Sequence, residues 1–146
     1  MEFVSYLLAA FGTAFLIAYT MKWQGATLYW GKALAPYNEL LPRGMQDAIT
    51  PRSQTIRNLL VYAAIVSLLA YGFTYFSWYV PLSVLFGTLF CSGAIGLMLP
   101  KPESPYFQSR IRAQLVKRYR HYQTTGETRE YDAMRGIIAD FDSITG

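Results

Sequence analysis

NLLVYAAIVSLLAYGFTYFSWYVPLSVLFGTLFCSGAIGLMLP, residues 58–100, runs for 43 residues without an Asp, Glu, Lys or Arg. The hydrocarbon core of a bilayer is about 30 Å thick and takes about 20 helical residues to cross. The stretch therefore has the length of two crossings and a turn, and it predicts an all-α integral membrane protein. Proline lacks a backbone N–H and is tolerated in the first turn of a helix. Pro81 thus places the turn near 77–81, between antiparallel spans at 57–76 and 80–99. Tyr71, Tyr75, Trp78 and Tyr79 crowd that turn. Trp and Tyr favour the headgroup level, so these rings read as lipid anchors before they read as a quinone or haem pocket.

Upstream, residues 3–21 form a second charge-free run, between Glu2 and Lys22. No basic segment precedes it, it is too long for the apolar part of a leader, and no small-x-small site precedes Lys22. It is expected to be a retained span. Ala10, Ala14 and Ala18 lie four apart along it, as do Ser83, Gly87 and Cys91 in the last span. Small residues at that spacing share a helix face and let backbones approach in lipid. These six positions are the expected helix-packing stripes.

All thirteen basic side chains lie outside the tip and the N-terminal stub. Five fall in residues 22–57 and eight in residues 101–146. Basic residues stay in the cytoplasm. With three spans, the N-terminus and the tip are expected outside, and the loop and C-terminus in the cytoplasm, as in a bacterial inner-membrane protein. Two regions follow: 1–100, three spans with a cytoplasmic loop at 22–56, and 101–146, a cytoplasmic basic tail. In the loop, Trp23, Tyr29 and Trp30 with Lys22 and Lys32 read as a segment lying at the headgroups. Pro36, Pro42 and Pro51 break it further, and Thr50-Pro51 reads as the cap and first residue of the next helix.

In the tail, Phe107, Ile111, Leu115, Tyr119 and Tyr122 share one face of a helix at 106–123. Arg110, Arg112, Lys117, Arg118 and Arg120 line its other sides, making a basic amphipathic helix. The expected contacts of these five cations are anionic lipid or a protein partner. Nucleic acid is disfavoured, because no recognised motif accompanies the charge. After the break at Gly126, a second amphipathic helix at 128–144 puts Tyr131, Met134, Ile138 and Phe141 on one side. A lone helical hairpin buries little surface, so this face is expected to meet a partner.

Chemistry is sparse. Residues 3–21 and 58–100 contain no ionisable Asp, Glu, Lys, Arg or His, the side chains that mark proton and ion paths. His121 and Cys91 are single, which leaves no Cys/His metal set. The acidic residues of 127–142 lack the spacing and glycine of a calcium loop. No catalytic residue, cofactor or metal is implied. The expected function is a non-catalytic accessory subunit of a larger membrane assembly, such as a secretion or conjugation machine or an energy-transducing complex. Its partners would be other membrane subunits and a cytoplasmic protein. The alternatives are a stand-alone protein whose basic tail reads anionic lipid and, less favoured, an oligomeric channel or transporter.

Overall fold

The structure, a computed structural model, describes residues 2–146. They are all-helical, with no strand among the described residues. The order is α1 (Glu2–Ala33), a 3-10 helix (Ala35–Leu40), α2 (Gly44–Ile49), α3 (Arg52–Tyr75), α4 (Tyr79–Met98), α5 (Pro105–Thr125) and α6 (Thr128–Thr145). Helices α1, α3 and α4 are long and apolar enough to cross a membrane. The chain forms two compact units: residues 1–22 with 52–99, and Trp23–Pro51 with Pro100–Gly146.

The helices expected as spans and in the tail are present, with one large difference. Helix α1 does not stop at Met21; it continues through Lys22 to Ala33. Nothing in residues 22–33 forbids this, since Gly25 and Gly31 weaken a helix without breaking it. It ends where Pro36 approaches, because proline has no N–H to continue the ladder and its ring clashes with the carbonyl four residues back. Leu34 then donates to Trp30 O, and the 3-10 helix begins. Thr50 does not cap α3. It closes α2 in extended backbone, and its hydroxyl donates backwards to Gln46 O at 2.6 Å.

In the first unit α1 is the inner helix. Tyr6, Ala10, Thr13, Ala14, Ile17 and Ala18 are buried along it. Helices α3 and α4 turn large apolar side chains outward: Phe90 is 80% exposed and Leu97 88%. The two meet in a turn at 76–78, with Pro81 buried in the first turn of α4. Tyr6 fastens α1 to α3 by donating its hydroxyl to Leu68 O at 3.0 Å. Its ring lies 5.7 Å from that of Tyr71 and 5.3 Å from that of Phe76. Gly72 allows this approach: a Cβ there would overlap the Tyr6 hydroxyl and the Cβ of Pro81. Thr13, Thr74, Thr88 and Ser92 each donate to a carbonyl of their own helix. An apolar surround then meets few unsatisfied hydroxyls.

The second unit is built on the opposite pattern. Its core is large side chains: Trp23 and Trp30 from α1, Leu34 just after it, Met45 and Ile49 from α2, Phe107, Ile111 and Leu115 from α5, and Met134, Ile137 and Phe141 from α6. Trp23 meets Phe107 edge-on at 5.4 Å, and Trp30 lies 4.9 Å from Phe141. The indole N–H of Trp30 donates to Pro102 O at 3.1 Å. The reading of Trp23 and Trp30 as headgroup anchors is therefore corrected: they are 4% and 3% exposed, inside a protein core. The faces of α5 and α6 need a third apolar wall, and the last turns of α1 supply it. Gly126, at φ 74°, ends α5 in the left-handed conformation that lets α6 fold back. Asn38 Oδ1 accepts the Met45 N–H at 2.7 Å and fixes the entry to α2.

Candidate functional site

Three sets of residues stood out as surfaces, and the fold treats each differently. The first is the pair of small-residue stripes. Ala10, Ala14 and Ala18 are buried on the inner helix. Ser83, Gly87 and Cys91 are exposed on α4, and a Cβ added at Gly87 meets nothing within 4 Å. Besides Pro81, the residues that α4 buries are their neighbours Thr88 and Ser92. Ala10 and Ala14 with Ser83, Gly87 and Cys91 instead line the two walls of an open groove of about 330 Å³. A second groove of about 470 Å³ runs between α1 and α3, lined by Ser5, Ala9, Thr13, Ala64 and Ser67. In both, small side chains are mixed with larger ones: Leu7, Phe11 and Val84 in the first, and Tyr6, Leu68 and Tyr71 in the second.

The second set is the apolar face of α6. Met134 is fully buried and Phe141 is 1% exposed; Tyr131 and Ile138 are partly covered. Phe141 lies against Trp30, and Tyr131 stacks on Tyr119 with ring centres 4.6 Å apart. Their hydroxyls share a 2.6 Å hydrogen bond, which holds the Tyr119 phenol above its usual pKa. The expected partner-facing surface is thus covered by the chain's own residues at Met134 and Phe141, and in part at Tyr131 and Ile138. Treating the hairpin as two helices left out the part of α1 that completes its core.

The third set is the five cations of α5. Arg112 forms a two-pronged pair with Asp142 of α6, at 2.7 and 3.0 Å. That hydrogen bond and charge hold the Asp142 carboxyl below the usual carboxylate range. Arg118 reaches back to Asp47, donating to its carboxylate at 3.2 Å and to its carbonyl at 3.3 Å. Beside it, partial burial pushes the Tyr122 phenol up. Arg110, Lys117 and Arg120 remain exposed and make no ion pair among the described residues. The Arg110 guanidinium lies 5.4 Å from the ring centre of Tyr106, a contact compatible with an exposed charge.

Sequence reasoning missed Asp47 and Asp142 as the acids that claim two of the five cations. Both contacts are far apart in the chain, and no local pattern announces them. The role of Trp23 and Trp30 did have a signal, since Trp23, Ala26, Trp30 and Leu34 recur at helical spacing on one face. Among the described residues, no three His, Cys, Asp or Glu side chains come together in a way that could hold a metal ion. The chain matches no family model, no curated protein and no solved structure.

Proposed function

We propose that this protein is a non-catalytic accessory subunit of a membrane assembly, embedded by α1, α3 and α4. In this reading the N-terminus and the α3–α4 tip face outward and the C-terminal helices lie in the cytoplasm, in the manner of a bacterial inner-membrane protein. The orientation follows from the thirteen basic residues, none of which lies in the N-terminal stub or the tip.

One observation carries the proposal: the groove between α1 and α4, with Ala10 and Ala14 on one side and Ser83, Gly87 and Cys91 on the other. Small side chains predominate in this furrow, beside Leu7, Phe11 and Val84; small residues let a further helix approach closely, and in lipid such packing drives association. Few side chains of α3 and α4 are buried within the unit itself, so the bundle offers most of its surface to lipid and neighbours. In this reading the docking element lies in the membrane and not on α6.

Purification in mild detergent, with mass spectrometry of the chains that come along, tests this. The parent protein is expected to bring larger membrane partners in fixed ratio. Gly87→Leu with Cys91→Leu, which fills the furrow, is expected to lose them while the protein still inserts. A lone homo-oligomer, or full retention of partners by the double variant, would overturn the proposal. Orientation is read by thiol labelling in a Cys91→Ser background. A cysteine at Ser77 is expected to react from outside, and one at Ser143 only after permeabilisation.

A further inference from the structure

We infer that the outward stripe of α5, built on Arg110, Lys117 and Arg120, is an electrostatic docking face for the anionic headgroups of the membrane that holds the spans. The inference rests on the insertion of α1, α3 and α4 and is independent of the subunit reading.

Three observations converge on it. Helix α5 carries five cations and no Asp or Glu, while α6 beside it carries Glu130, Asp132, Asp140 and Asp142. The fold then sorts the five. Arg112 and Arg118 are consumed by Asp142 and Asp47. Arg110, Lys117 and Arg120, which no acid claims, fall with Ala113 and His121 within about 100° of helical arc. That arc is exposed along its length and lies away from the buried line Phe107, Ile111 and Leu115. A stripe of one sign on the face opposite the core is complementary to a surface of phosphates.

The occupant follows from the chain's connectivity. Met98 ends α4 and Pro105 starts α5. Even fully extended, the chain between them spans at most about 25 Å, and it is not extended, because the Ser104 N–H donates back to Lys101 O. The helix therefore starts within reach of the headgroups at the end of α4. An anionic leaflet attracts basic residues over about a Debye length, roughly 10 Å at 0.1 M salt. A membrane protein need not wait for such a surface to diffuse to it.

The test uses the full-length protein in bilayer discs. A spin label is placed on a cysteine at Ala113 in the Cys91→Ser background, and its collision with lipid-soluble oxygen is compared with a water-soluble nickel chelate. In discs with one-third phosphatidylglycerol the label is expected to lie at the headgroups; in pure phosphatidylcholine, or at about 1 M salt, it is expected to move into water. Arg110→Gln, Lys117→Gln and Arg120→Gln together should lower the ratio of docked to free by on the order of a hundredfold. Arg129→Gln with Arg135→Gln on α6 should leave it within a few-fold of the parent. A label on native Cys91 in the parent protein reports insertion separately: oxygen-accessible Cys91 with an Ala113 label indifferent to lipid charge overturns the docking face alone. A label that reaches the surface only in native membranes, and not in protein-free anionic lipid, also overturns it and assigns the stripe to an acidic protein.

Discussion

The two units solve opposite packing problems with one chain. In the first, the inside is small and the outside is large: Ala10, Ala14 and Gly72 are buried while Phe86, Phe90, Leu97 and Met98 stand out from the bundle. In the second, the inside is large and the outside is charged: Trp30, Phe107 and Phe141 are buried while Arg112 and Asp142 pair at the surface. The second arrangement suits water, where burying large apolar side chains is the main gain on folding. The first arrangement suits a hydrocarbon surround, where close backbone approach and satisfied hydroxyls matter instead. Residue size inside against outside is thus a better guide to each unit's surroundings than hydrophobicity alone.

The sharpest way to break this contrast is a matched pair of truncations. Phe141→Ala should destabilise the second unit by about 3–5 kcal/mol, because a buried aromatic leaves a cavity. Phe90→Ala, on the outside of the first unit, should cost within about 0.5 kcal/mol. Proteolytic susceptibility of the C-terminal helices against denaturant, in the full chain, measures both. Equal losses at the two positions would sink the contrast.

A second pair probes the small residues. Gly72→Ala forces a Cβ against Pro81 and Tyr6, an overpacking that should cost about 1–3 kcal/mol. Gly87→Ala enters open space and should leave the thermal unfolding of the purified protein unchanged. A harmless Gly72→Ala would show that α1 and α3 do not meet as closely as described.

The smallest effect is expected from acid. The folded Asp142 carboxyl sits below its usual range because Arg112 donates to it. Its contribution is therefore complete above the unfolded carboxylate pKa and is lost as pH falls through the lower folded value. Both groups are exposed at the surface, so the acid limb should be shallow. Asp142→Asn should remove that limb from the pH profile of hydrogen exchange at the end of α6. An unchanged limb would assign it to other carboxylates.

The three apolar helices and the C-terminal hairpin were legible because each is written locally. Charge-free runs mark the first, and a helical apolar period ended by Gly126 marks the second. The extension of α1 was obscured by Lys22 and by aromatic residues that suit a headgroup layer as well as a core. The helical spacing of Trp23, Ala26, Trp30 and Leu34 separates the two readings. What covers Met134 and Phe141 was not legible, because the answer lies about a hundred residues upstream. The same holds for the cations of α5: sequence shows five, and only their tertiary partners show which three remain.

The second unit is discontinuous in the chain, and this sets a timetable for the ribosome. Residues Trp23–Pro51 leave the exit tunnel first, and Phe141 follows about ninety residues later. At ~5–20 residues per second, the delay is roughly 5–18 s. Through that interval α3, α4, α5 and most of α6 are being made in turn, while Trp23, Trp30, Met45 and Ile49 lack the complete α5–α6 pair that buries them. The early segment is the half of a clasp that closes only once α6 has emerged. A chain stopped anywhere before Phe141 keeps it open.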